Sequence, residues 1–268
     1  MPSLALIGHG AVGAALHRHL RRELDDGRVV FRGALVRHPD AHPELPAKER
    51  LDLDGLLAAD LVVECAGVAA LRHLGPLVVA GGPDLLVASV GAFADPDTAA
   101  ALEAGPGRVR ASSGAIGGLD LLRAAAQAGG IDRATITTTK LASSLVQPWM
   151  DDEERERLRT LRTPEPLFEG TPGEAIDRFP GNVNVAVAVG LACRGLGPIA
   201  AGLGRVRVRI VADPDTDAST HRIEAEGASG RYRFEIANRP DPTNPRSSAL
   251  TAQALAAEVR EWLAARPT

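Results

Sequence analysis

The stretch Leu4-Ala5-Leu6-Ile7-Gly8-His9-Gly10-Ala11-Val12-Gly13 constrains this chain most, because an apolar run ends in glycines spaced Gly-x-Gly-x-x-Gly and Ala14-Ala15-Leu16 continues beyond them. Strand, tight turn and helix start, in that order, open a parallel βαβ unit. Gly8 suits the backbone angles of the turn, Gly10 lets the main chain approach a diphosphate, and Gly13 lets the helix pack on its strand. A phosphate then rests on the free N–H groups of the first helical turn, at Ala11 and Val12. In a chain with 28 glycines the spacing alone is weak. Its position directly after an N-terminal apolar run is what favours a nucleotide site.

The next segments extend the same pattern. Residues 28–36 suit a second strand, and Val36 is followed by Arg37-His38, with no carboxylate before Asp40. An acidic side chain there bonds the ribose 2′-hydroxyl of NAD, whereas an arginine can grip a 2′-phosphate. The cofactor is therefore read as NADP or NAD, with Arg37 permitting or favouring NADP. Residues 53–59, 68–80 and 96–104 read as helices. Residues 60–64, 84–88 and 108–111 read as strands, the first running into Cys65-Ala66-Gly67 and the second into Ser89. Such alternation predicts an α/β fold, a Rossmann-type doubly wound parallel sheet. Ligands of such sheets collect beyond the carboxyl ends of the strands, which gathers residues 8–13, Cys65, Ala66, Ser89 and residues 112–114 at one crevice.

After the second glycine-rich stretch, residues 111–120, the periodicity changes. Residues 134–141, 205–211, 221–226 and 231–236 alternate with period two, as in an open mixed sheet that is mostly antiparallel. An apolar helix is expected over 183–194 and an amphipathic one over 248–265, and the charged run 151–162 reads as a solvated helix or lid. The expected organisation is a dinucleotide-binding domain over 1–112 and a smaller α+β substrate domain over 113–245, with the C-terminal helix (246–268) packing back on the first.

A chain of 268 residues buries about 70–75% of its unfolded surface and needs no staples. Cys65 and Cys193 sit in apolar segments without ligand-type neighbours, so they read as buried thiols and no metal site is expected. A net charge of −4 with scattered basic residues argues against nucleic acid and polybasic membrane contacts. No apolar run spans a bilayer and the glycines interrupt the only candidate leader, so the expected location is cytoplasmic.

Three further segments carry a family resemblance. They are Ser113-Gly114-Ala115-Ile116-Gly117-Gly118-Leu119-Asp120; Phe179-Pro180-Gly181-Asn182-Val183-Asn184-Val185-Ala186; and Ala212-Asp213-Pro214 with His221 and Asn244-Pro245-Arg246-Ser247-Ser248. In this order, and spanning most of the chain, they resemble L-aspartate dehydrogenases. The resemblance implies oxidation of L-aspartate to iminosuccinate with NAD or NADP, the imine hydrolysing to oxaloacetate and ammonia or feeding quinolinate formation in NAD synthesis. It also implies a fold like homoserine dehydrogenase and a homodimer formed through the second domain. It places the active-site histidine on His221 and the nicotinamide contacts on the Ala115 backbone and Asn184. The sequence departs from the family pattern at Arg37, where an acidic residue is common. It departs again at Lys140-Leu141-Ala142, where Lys-Pro-Pro is common, and at Arg246, where lysine is common.

These residue types suit the chemistry. An imidazole titrates near working pH and, as a general acid or base, contributes about 10²–10⁴-fold in rate. A dicarboxylate substrate needs cations or aligned donors, for which Lys140, Asn182, Arg246 and Ser247 are candidates. Residues 244–247 serve equally well as the start and cap of the last helix. One of Asn182 and Asn184 is a helix cap and the other reaches the cofactor; spacing does not say which. Two other classes remain compatible: a dehydrogenase or imine reductase for another amino acid on the same scaffold, and an NAD(P)-binding sensor or subunit without turnover.

Overall fold

All five residues of β1 (Ser3–Ile7) are buried, as befits the middle strand of a parallel sheet, where both faces are covered. The computed structural model describes residues 1–179, 184–241 and 244–266, with 244–247 described by their backbone alone. The chain divides into two units: Met1–Gly114 with Thr251–Thr268, and Ala115–Leu250.

In the first unit β1 leads through the glycine turn into α1 (Ala11–His19), α2 (Arg21–Asp25) and β2 (Val30–Leu35). Then come α3 (Leu53–Leu57), β3 (Leu61–Glu64), α4 (Val68–Gly81), β4 (Asp84–Val87), α5 (Pro96–Glu103) and β5 (Val109–Ala111). The strands lie in the order β2-β1-β3-β4-β5, and every pair is parallel. The chain goes from β1 outward to β2 and then returns to the other side as β3. The switch point of this doubly wound sheet, where ligands bind in such folds, therefore lies at the carboxyl ends of β1 and β3.

The second unit runs α6 (Leu119–Ala128), β6 (Ile131–Leu141), α7 (Asp152–Thr160), β7 (Glu165–Gly170), α8 (Pro172–Arg178), α9 (Asn184–Cys193), α10 (Ile199–Leu203), β8 (Val206–Asp213), β9 (Ser219–Gly227) and β10 (Gly230–Asn238). Its sheet has the order β10-β9-β6-β8-β7, with β6 and β8 parallel and the other neighbours antiparallel. One face is buried through Ala134, Ile136, Val206, Val208, Ile210, Ile223 and Ala225. Charged pairs such as Arg133–Glu226, Arg233–Glu224 and Arg209–Glu169 have partly exposed side chains, which leaves each worth little to stability. The charged run read as a solvated helix or lid forms α7, opened by a capping box between Asp151 and Glu154.

The sequence reading of residues 244–247 as a helix start is corrected. Their backbone is extended, because β12 (Asn244–Ser248) pairs with β11 (Pro240–Asp241), and the last helix, α11 (Ala249–Ala264), begins after it. Ser248 supplies the cap, its Oγ accepting from the Leu250 N–H at 3.1 Å. The reading also missed β7, α8 and α10. Leu255, Ala256 and Val259 of α11 join Leu4, Leu6, Leu16 and Leu20 in one buried cluster, and Arg260 Nε donates to the buried Glu23 carboxylate at 2.6 Å. No helix among the described residues is long and apolar enough to cross a membrane.

Candidate active site

The glycine turn of the first unit has three differently constrained positions. Gly8 has φ +87°, in the left-handed region that favours glycine. A Cβ at Gly13 would lie 2.5 Å from the Gly8 carbonyl oxygen, so that glycine is required by packing. At Gly10 a Cβ would meet no atom of the described residues within 4 Å. Gly10 is also the N-cap of α1, without a side-chain cap and with no acidic residue in the first turn. An unfilled space beside uncapped helical N–H groups is what a diphosphate requires, and the residues present fit a dinucleotide coenzyme.

The next two strand ends are tied together by Glu64, which the sequence reading did not single out. Its Oε1 accepts from the Ala66 N–H at 2.8 Å, the Gly67 N–H at 2.9 Å and Ser89 Oγ at 2.8 Å, and its Oε2 accepts from the Ser89 N–H at 2.9 Å. The side chain is fully buried, and burial raises its carboxyl above the ordinary value in spite of four donors. Ala66 in turn packs on the Gly8 turn. Residues 8–13, Cys65, Ala66 and Ser89 are thus brought together as one assembly. Burial and the neighbouring Glu64 push the Cys65 thiol well up, and burial pushes Cys193 up to about 11, which disfavours the reactive thiolate at both free cysteines. Arg37 follows β2 and is exposed. Beyond β5, the Ser113 N–H donates to Glu258 Oε1 at 2.9 Å.

In the second unit the register of β6 and β9 assembles the polar residues. Ala134 pairs with Ala225, Ile136 with Ile223 and Thr138 with His221, so one buried face is apolar for two rungs and polar at the third. His221 is 5% exposed and Thr138 1%. Thr138 Oγ1 lies 3.0 Å from His221 Nδ1. Burial, and secondarily the Lys140 ammonium, lowers the imidazole to about 4. Lys140 lies two residues beyond Thr138, on the same face of the strand, and burial lowers its own pKa. The result is an imidazole that is neutral at neutral pH and so free to take a proton, next to a cation placed to attract an anionic substrate.

The Ala115 segment is fixed to the same end of this sheet. Asn238, buried at the end of β10, donates through Nδ2 to the Ala115 carbonyl at 2.7 Å. Its ladder partner is Ser219, two residues before His221. Gly118, with φ +79°, leaves room for Phe234, whose ring would lie 2.6 Å from an added Cβ. Asn184 opens α9 and is exposed. Asn182 lies outside the described residues, as do the side chains of Arg246 and Ser247. Sequence reasoning missed Glu64, Thr138 and Asn238. The acid ending the third strand and the alternating threonines before Lys140 were the available signals.

Comparison with known proteins identifies the family. Residues 120–262 match the family described as aspartate dehydrogenase, C-terminal, and residues 8–108 match the homoserine dehydrogenase NAD-binding domain. The chain is 41% identical to the L-aspartate dehydrogenase of Ruegeria pomeroyi, over 99% of this chain and 94% of that protein. It is 37% identical to that of Ralstonia pickettii, over 94% of each. The crystal structure of aspartate dehydrogenase from Thermotoga maritima superposes with a TM-score of 0.73 at 27% identity, covering 100% of this chain and 99% of that one. A hyperthermophilic archaeal homoserine dehydrogenase solved in complex with NADPH shares the fold, with a TM-score of 0.59 at 9% identity over 100% and 99% of the two chains. With both family matches in their expected places and a relative of this similarity along almost its whole length, the chain belongs to the L-aspartate dehydrogenase family.

Proposed function

We propose that this protein is an NAD(P)-dependent dehydrogenase that oxidises L-aspartate to iminosuccinate. The observation that carries the proposal is the Thr138–His221–Lys140 group at the polar end of an otherwise apolar buried face. Family membership supports aspartate as the substrate.

A bound nicotinamide coenzyme supplies the hydride acceptor. The chain's residues prepare the substrate. A hydride leaves an α-carbon readily only when the neighbouring nitrogen has a free lone pair, so the substrate ammonium must first lose a proton. His221, neutral at working pH, accepts it at Nε2 in the tautomer whose Nδ1–H faces Thr138 Oγ1. The Lys140 ammonium draws a substrate carboxylate to the same end of β6. After oxidation, His221 assists the water that hydrolyses the imine. We assign the nicotinamide end of the coenzyme to the Ala115 backbone and Asn184, the diphosphate to Gly8, Gly10, Ala11, Val12 and Gly13, and the flanking contacts to Cys65, Ala66 and Ser89. Asn182, Arg246 and Ser247 complete the carboxylate contacts. Arg37 admits the 2′-phosphate of NADP. We take the working form to be a homodimer, as the resemblance implies, and its location to be cytoplasmic.

The test is NAD(P)H formation, followed by absorbance, across a panel of amino acids. Aspartate is expected to be the best substrate, and His221→Ala is expected to remove most turnover while leaving coenzyme affinity nearly intact. Activity on another amino acid far above that on aspartate would overturn the substrate. A wild type that binds coenzyme but turns nothing over would overturn the enzyme reading in favour of a sensor. Arg37→Ala is expected to weaken NADP binding selectively; unchanged NADP affinity removes Arg37 from the account.

A further inference from the structure

The glycine turn carries a histidine that the proposed reaction does not use. His9, between Gly8 and Gly10, is 6% exposed. Its Nδ1 lies 3.1 Å from Glu44 Oε1, and His42 Nδ1 lies 3.0 Å from the same oxygen. One ligand atom from each of these three side chains lies within 4.8 Å of the other two. The histidine rings meet edge-on, with centroids 6.2 Å apart. His9 Nε2 is buried with no hydrogen-bond partner among the described residues, so the contact with Glu44 is what this buried polar ring has in return for its desolvation.

Two imidazoles and one carboxylate make a ligand set that zinc uses with its fourth position open. In a tetrahedron with metal–ligand distances of about 2.0–2.1 Å, neighbouring donor atoms are about 3.3–3.4 Å apart. The two His–Glu edges, 3.1 and 3.0 Å, need to open by only a few tenths of an ångström, while the His9–His42 edge, within 4.8 Å, has to close toward the same length. The segment that supplies His42 and Glu44 is already fixed. Leu45 is buried, and Arg50 donates to the Leu45 carbonyl at 3.1 Å and to the His42 carbonyl at 3.3 Å. The Glu44 side chain is 49% exposed, which gives an ion a way in from solvent and a free side for its fourth ligand.

We propose that His9, His42 and Glu44 form a binding site for a divalent transition-metal ion of the zinc class, bracing residues 42–44 against the glycine turn. The absence of a metal site expected from sequence rested on cysteine spacing, which says nothing about a histidine pair separated by more than thirty residues. The site is tested with the metal alone, so its outcome does not depend on the coenzyme or substrate assignments. Metal-free full-length protein is titrated with Co²⁺, whose visible absorption reports tetrahedral coordination, and then with Zn²⁺ as competitor. The expected result is one Co²⁺ per chain, displaced by Zn²⁺. Glu44→Gln and His42→Ala should each weaken binding by at least about 100-fold, the upper end of what losing even a group behind a ligand costs. Both side chains are partly exposed, and unchanged far-UV circular dichroism will establish that the variants are folded. Absence of Co²⁺ absorption together with absence of bound Zn²⁺ in equilibrium dialysis overturns the proposal. So does binding that neither variant weakens.

Discussion

Thr138 and His221 are partners in the β6–β9 ladder, and their side chains meet on its buried face with Oγ1 3.0 Å from Nδ1. A buried hydrogen bond of this kind contributes about 1 kcal/mol net, and here it also holds the imidazole ring in one orientation. Thr138→Val is therefore expected to lower kcat about tenfold with coenzyme affinity unchanged, and Thr138→Ser to restore most of it. Steady-state kinetics with coenzyme titrations on both variants will check this. A loss in Thr138→Val that Thr138→Ser does not recover would make the threonine a packing residue only.

Burial and Lys140 hold His221 at about 4, below the ordinary histidine value. The acid limb of kcat/KM is accordingly expected near pH 4, well below the ordinary value near 6.5. Lys140→Met removes the secondary, cationic contribution, so the limb moves upward; a limb that stays in place would separate Lys140 from His221.

The same group shapes stability. With the folded pKa depressed, the unfolded chain binds more protons between about 4 and 6.5, so this contribution is intact above 6.5 and is lost as pH falls through that window. The loss amounts to roughly 3 kcal/mol for the full shift. Denaturant melts at a series of pH values should show the slope, and His221→Gln should flatten it.

Glu64 receives four donors on two oxygens. A glutamine has one acceptor oxygen and an amide that is itself a donor, so Glu64→Gln leaves at least one buried N–H or O–H facing another donor. Stability is expected to fall by about 1–3 kcal/mol. Coenzyme affinity should fall with it, because the Cys65–Ala66 and Ser89 turns lose their common anchor. Calorimetric melting and coenzyme titration will measure the two effects; unchanged melting would mean that the carboxylate is not an anchor.

Gly10 and Gly13 separate binding from folding. A Cβ at Gly10 meets no atom of the described residues within 4 Å, whereas one at Gly13 lies 2.5 Å from the Gly8 carbonyl oxygen. Gly10→Ala should cost no more than about 1 kcal/mol of stability, the ordinary effect of alanine at an N-cap, yet weaken coenzyme binding strongly. Gly13→Ala should destabilise the fold itself. Equal coenzyme affinity in Gly10→Ala and wild type would place the diphosphate elsewhere.

The sequence by itself determined what depends on short-range order. The apolar run into Gly8, Gly10 and Gly13 specified β1, the turn and α1, and the alternation that follows specified a parallel sheet, because period and turn chemistry act within a few residues. The later period-two segments likewise announced the second sheet. Tertiary structure decided what depends on which distant segments meet. Register, a property of two strands, placed Thr138 against His221. Only the packed sheet turned Glu64 into a buried anchor for Ser89, 25 residues away, and Asn238 into a partner for Ala115. Residues 244–248, whose composition suits a helix start, became a strand because β11 offered them a ladder. Local propensities differ by fractions of a kcal/mol, whereas an unmatched buried polar group costs about 1–3 kcal/mol, so the long-range partners have the last word.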